Sequence, residues 1–168
     1  MHVEITLKIF FYFSSFIERM QHQVVQKSDL RNFVKNIISE KIRKLENFID
    51  FTLEASRDIK KTPKYDSIRE EIQEEIYQMQ KQLGAFHEMN RNMVKVLNTT
   101  SEEVRLGSVV LTNKARFYIS VSLGEFFYEG DRFYAISPES PLAQRMLGMR
   151  VGNSFTLNGI SQKIVEII

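Results

Sequence analysis

Two stretches of the chain carry apolar residues at alternating intervals of four and three. In the first, Ile38, Ile42, Leu45, Ile49, Thr52, Ser56 and Ile59 form one stripe, which Leu30 and Val34 extend backwards. In the second, Tyr65, Ile68, Ile72, Ile76, Met79, Leu83 and Phe86 repeat the pattern, and Met93 and Leu97 continue it. This spacing places one apolar seam on each of two helices, as in a coiled coil. Charges such as Glu40, Lys41, Glu70, Glu71, Glu74 and Glu75 fill the other faces, as a solvated helix surface requires. Between the runs, Thr62 suits an N-cap and Pro63 the first helical position, where its missing N–H does no harm. A connection this short makes the two helices antiparallel. Each is about 33–36 residues, which gives a hairpin about 50 Å long. So long a pair buries little apolar area per residue. It needs a partner, or a task suited to a long thin object.

The pattern changes after about Asn98. Gly84 is the single glycine before Gly107, and the six others follow from there. Gly107–Thr112 reads as a strand, and Ala115–Leu123 alternates Phe117, Ile119 and Val121 with Tyr118, Ser120 and Ser122. Gly124 and Glu129-Gly130-Asp131 mark turns around Phe126-Phe127-Tyr128, and Arg132–Ile136 is a further strand. Ser140 and Pro141 then look like the N-cap and first residue of a short helix that runs to Met146 or Leu147 and stops at Gly148. Asn153–Leu157 and Gln162–Ile168 close the chain across Asn158-Gly159, a hairpin turn signal. The expectation is an α+β chain: a helical hairpin over 20–100 with its tip near 57–65, then a β-rich domain over 104–168 of about five strands and one short helix.

Residues 1–19 form an N-terminal extension with an apolar patch, Ile9-Phe10-Phe11-Tyr12-Phe13 and Phe16-Ile17. It is shorter than the roughly 20 apolar residues of a membrane span. It lacks the basic start and small-residue cleavage site of a signal peptide. Either it packs on the hairpin base, or the true start is Met20.

Composition narrows the function classes. The 168 residues are 43% hydrophobic and 26% charged, which fits an ordinary soluble protein. Twenty-three basic side chains against 21 acidic ones are too even to imply nucleic-acid binding by charge alone. The absence of cysteine removes disulfides, zinc ribbons and thiol nucleophiles, and His2, His22 and His87 are too scattered for a compact triad. The balance points to a binding protein.

The segment Ser137-Pro138-Glu139-Ser140-Pro141-Leu142-Ala143, followed by Leu147-Gly148 and Val151-Gly152, resembles the Ser-Pro-Leu-Ala … Leu-Gly … Val-Gly pattern of the GreA/GreB (Gre) family of transcription elongation factors. The closing Ile164-Val165-Glu166-Ile167 is also like the last strand of that family's C-terminal domain. The resemblance covers 104–168 in motif order and the hairpin in architecture. It is greatest to the divergent Bacteroidetes-type Gre-like proteins, whose tips often read Asp-Lys-Tyr-Glu where this chain has Pro63-Lys64-Tyr65-Asp66.

The resemblance implies an FKBP-like C-terminal domain docked on the rim of bacterial RNA polymerase's secondary channel, through Glu139, Ser140, Pro141 and Leu142. It implies a hairpin tip, here Asp58, Lys60, Lys61, Lys64 and Tyr65, brought to the polymerase active site and so indirectly to nascent RNA and DNA. It further implies a cytoplasmic monomer with no membrane contact. In the family two tip acids help hold a Mg²⁺ ion shared with the polymerase, which then cleaves backtracked RNA. Counted back from Tyr65, the first acid falls on Asp58 and the second on Lys61. From Glu54 to Asp66 three acids (Glu54, Asp58, Asp66) face four bases (Arg57, Lys60, Lys61, Lys64), and a net positive tip repels a divalent cation.

The expectation is therefore a polymerase-binding regulator that is no enzyme, has no cofactor of its own, and does not stimulate cleavage efficiently. The alternatives are a true cleavage factor using Asp58 with Asp66, and a coiled-coil interaction module unrelated to polymerase. Prolyl isomerisation needs an aromatic pocket, and Phe117, Phe126, Phe127 and Phe133 alternate instead as sheet-core residues should. Base stacking on RNA would need a basic groove beside the aromatic residues, and the sequence supplies none.

Overall fold

The computed structural model describes residues 25–57, 59 and 63–168. The aromatic run at 9–17 and the tip residues Asp58, Lys60, Lys61 and Thr62 lie outside these. The fold is α+β: two long helices, then a six-stranded mixed sheet with one short helix.

Helix α1 (Lys27–Arg57) and helix α2 (Asp66–Met93) form the antiparallel pair, joined through a 3₁₀ turn at Pro63–Tyr65. Their contacts run in opposite chain directions. Arg31 bonds the Met93 carbonyl, Glu46 faces His87 at 3.7 Å, and Ile49 packs with Ile76 and Met79. The helices have 31 and 28 residues, about 46 and 42 Å long. The seam sits where the periodicity puts it, with Leu30, Val34, Ile38, Ile42, Ile49, Ile76, Met79 and Met93 buried. It opens towards the tip, where Ile68 is 44% exposed.

The ends of α2 differ from the sequence reading. Pro63 opens the 3₁₀ turn rather than the α-helix, and Tyr65 stands at the cap position with no side-chain cap bond. At the other end α2 stops at Met93, short of Asn98. Val94, Lys95 and Val96 donate to the carbonyls of Arg91, Asn92 and Met93, a tightened final turn. That turn buries Val96 in the sheet-side core and leaves Leu97 exposed, so Leu97 does not continue the seam.

The strands are β1 (Val109–Thr112), β2 (Arg116–Ile119), β3 (Gly124–Tyr128), β4 (Asp131–Ile136), β5 (Ser154–Leu157) and β6 (Ile160–Ile167), with α3 (Pro141–Met146) between β4 and β5. Their order in the sheet is β3-β4-β2-β1-β6-β5, with β2 and β4 parallel and every other neighbouring pair antiparallel. There are six strands rather than five because Gly124–Tyr128 pairs with β4 from Asp131 to Ala135. Strand β2 ends at Ile119, four residues before the sequence reading. Ser120 donates to Ile136, and Leu123 to Val121, so the chain turns across the end of β4 to reach the sheet edge. Asn158-Gly159 closes the last hairpin with both residues at positive φ, as a type I′ turn requires.

Each face of the sheet has its own core. On one face Val109, Tyr118, Phe126 and Phe133 pack under Leu30, Val34, Ile38, Ile42 and Met93. On the other, Val110, Phe117, Ile119, Phe155 and Ile164 pack under Ala143 and Met146 of α3. The connection from α2 to β1 is held tightly: a Cβ on Gly107 would overlap the Leu97 carbonyl oxygen, so only glycine fits there. Phe127 points away from both cores and is 61% exposed, so it is not a core residue.

Burial of Tyr118 under the helices pushes its hydroxyl up to about 12, with the Arg31 charge acting in the opposite sense. Tyrosine in an unfolded chain ionises near 10. Between those values the unfolded state sheds a proton that the native state keeps, so stability falls as pH rises through this window. We expect urea titrations to show an alkaline loss of stability beginning near pH 10, and Tyr118→Phe to flatten it. An unchanged slope in Tyr118→Phe would reject that assignment.

Candidate functional site

Two regions carry the residues singled out in the sequence: the hairpin tip, and the corner before α3. The hairpin leaves the sheet part-way along its length. As far as Ile42 on α1, its seam belongs to the sheet core. Beyond that, Leu45, Ile49, Ile72, Ile76, Met79 and Leu83 form a cluster made of helix residues alone. From Ile42 to Arg57, α1 therefore runs about 22 Å past the core that grips it. Phe48, Phe51 and Tyr77 are at least half exposed on this outer shaft.

At the tip, Arg57 ends α1 and Asp66 begins α2, each charge suited to the helix pole it occupies. The Asp66 carboxylate is held by Arg69, one turn into α2. Lys64 lies beside the Tyr65 ring, its Nζ 5.9 Å from the centroid. Among the described tip residues, the Asp66 carboxylate is thus paired with a guanidinium and Lys64 adds positive charge at the neighbouring Tyr65.

The corner before α3 is well built. Ser140 has extended backbone and its Oγ accepts from the Ala143 N–H at 3.1 Å, with Pro141 at the first helical position. The Ser140 N–H donates to the Ser137 carbonyl, and Gln144 Nε2 donates to the Pro138 carbonyl at 2.6 Å. Ser140 is thus committed to capping. Leu142 is half-buried against the α3-side core, whereas Glu139 and Pro141 are exposed. The residues with side chains to offer a partner are Glu139 and Pro141.

This corner lines a cleft of about 470 Å³ against the last turns of α2. Ser137, Pro138 and Glu139 form one wall, and Glu88, Asn92 and Lys95 the other. Those three residues, two on α2 and Lys95 in the turn that ends it, are site neighbours that the sequence reading missed. Their helical spacing marks them as solvated face, and only the fold of the sheet brings residues some fifty positions apart together. Phe117, Phe126 and Phe133 are core residues, divided between the two faces of the sheet.

Among the described residues no helix is long and apolar enough to cross a membrane, and no three His, Cys, Asp or Glu residues gather as metal ligands. No family model matches the chain, and no curated protein matches it. Among solved structures it is similar to the transcription factor Gfh1, at 19% identity over 84% of this chain and 93% of that one, with a TM-score of 0.29. At that score the likeness decides neither fold nor function.

Proposed function

We propose that this chain is a regulator of transcription elongation of the Gre type, which binds bacterial RNA polymerase and inserts its hairpin into the secondary channel. The observation that carries the reading is the outer shaft: beyond Ile42 and Leu83 the two helices pack on each other alone, gripped below by the sheet. A rod held at one end is shaped to enter a pore. The β-rich half is read as the FKBP-like anchor at the rim, docking through Glu139 and Pro141, with Ser140 and Leu142 holding that corner in shape. Exposed aromatic rings at Phe48, Phe51 and Tyr77 suit a shaft that is sheathed by a partner when in use.

The tip favours regulation without efficient cleavage, since Asp66 is engaged by Arg69 and Lys64 adds a positive charge over the Tyr65 ring. The protein is then no enzyme in its own right and needs no cofactor of its own. True cleavage through Asp58 with Asp66 is the second reading, and shortened RNA in halted, backtracked complexes would establish it.

The test is a pull-down with bacterial RNA polymerase at low and physiological salt. Wild type is expected to be retained, and Ser140→Ala with Pro141→Ala to be retained weakly while still unfolding cooperatively, at a cost of about 1 kcal/mol for the lost cap. No retention of wild type at either salt would reject the reading. A second copy could instead sheathe the same exposed rings, and an obligate dimer by light scattering would favour a plain interaction module.

A further inference from the structure

Several arginines elsewhere in the fold answer to carboxylates: Arg43 to Glu40, Arg116 to Asp131, and Arg150 to Glu102 and Glu103. The start of α1 is different. Lys27 is 92% buried, and its Nζ donates to the Thr99 carbonyl at 2.9 Å. Arg105 reaches the same residue, with Nη2 donating to Thr99 Oγ1 at 3.1 Å and to the Thr100 carbonyl at 2.8 Å. One turn beyond Lys27, Arg31 donates to the Met93 carbonyl, and its Nε is buried with no partner. All three cations therefore end on neutral acceptors, and Lys27 and Arg105 meet on the same residue, Thr99.

The nearby acids do not compensate them. Asp29 projects about 200° around the helix from Lys27, takes the Ser28 hydroxyl, and acts on Tyr128 instead. Glu103 is taken up by Arg150. The carbonyl pole of α2 supplies partial negative charge to Arg31, but Lys27 stands at the opposite, positive pole of α1. Desolvation, and then the Arg105 charge, pull the Lys27 pKa down.

We propose that Lys27 and Arg105, backed by Arg31 and the N-terminus of α1, form a binding site for a phosphate group. Lys27 has two N–H donors beyond its bond to Thr99, and Arg105 has Nε and Nη1 beyond its bonds through Nη2. A tetrahedral oxyanion takes several such donors at once and supplies the missing charge. The exposed side of the site, at Arg105, Thr99 and Thr100, admits either a free phosphate or a phosphate of a nucleic-acid backbone. The site lies at the base of the hairpin, away from the tip, and does not depend on the polymerase reading.

Titration calorimetry at fixed ionic strength, in phosphate-free buffer, tests it with two probes: inorganic phosphate and a short single-stranded RNA. At least one is expected to bind saturably. Arg105→Gln should weaken it roughly tenfold, the loss of one charge-assisted hydrogen bond. Arg105→Lys should restore part of the affinity, and Lys114→Gln, in the exposed turn before β2, should leave it unchanged. Binding of phosphate assigns a free anion. Binding of RNA alone, lost in Arg105→Gln, assigns a backbone phosphate. No binding of either probe, or equal binding by a folded Arg105→Gln, overturns the proposal.

Discussion

Phe133→Ala is expected to destabilise the protein by about 3–5 kcal/mol, the usual range for removing a fully buried ring. Phe133 has no exposed surface and sits on β4 where the sheet meets the hairpin. It stacks on Phe126 with centroids 5.6 Å apart and meets the edge of Tyr128 at 6.3 Å. The Arg116 guanidinium carbon lies 5.9 Å from the ring centroid. Leu30, Val34 and Met93 belong to the same cluster from the helix side. An alanine would leave a void with sheet on one side and both helices on the other, and neither layer could close it without shifting the other. Domains have about 5–15 kcal/mol in total, so this loss should be plain in a urea midpoint with little change in slope. A loss under about 1 kcal/mol would mean that hairpin and sheet do not share a core at this point.

Ile76→Asp should act differently. Ile76 is buried in the outer shaft, among Ile49, Met79 and helix residues only. A carboxylate there loses its hydration and gains no cation in exchange, a penalty of about 3 kcal/mol or more. Since the shaft beyond Ile42 meets the sheet-side core only through Leu83 among its clustered residues, the damage should stay local. Hydrogen exchange is expected to quicken at residues 45–57 and 66–82 while the amides of β1, β2, β4 and β6 keep their protection. Polymerase retention should fall with it, because a frayed shaft no longer presents a stiff probe. Equal loss of protection in shaft and sheet would show that the two unfold as one unit.

The two predictions differ because the molecule has two kinds of core, and only one was legible in the sequence. The helix seam was readable, since the intervals of three and four at Leu30–Ile49 and Ile72–Met79 admit a single buried face. So were the α3 cap at Ser140-Pro141 and the Asn158-Gly159 turn, because each depends on residues adjacent in the chain. What the pattern could not give was which part of the seam meets the sheet and which stands clear. Leu97 extends the period as well as Met93 does, yet the chain leaves the helix to bury Val96 and fit Gly107 against the Leu97 carbonyl. That choice is made by contacts across the fold. The same holds for the third strand of the sheet, for the exposure of Phe127, and for the cleft between Glu139 and Lys95. Lys27 is the sharpest case, since a lysine in a first helical turn gives no sign from sequence of being buried beside an arginine.

A distance between spin labels at Glu54 and Phe127 tests the projecting shaft most directly. Both positions are exposed, and Phe127 adjoins Phe126, whose ring is 6.2 Å from that of Phe33 on α1. Glu54 lies 21 positions along the helix from Phe33. A shaft standing free of the sheet gives a narrow distribution centred at about 30 Å or beyond. A distribution centred below about 20 Å would put the outer hairpin back against the β-rich half, with no rod left to enter a channel.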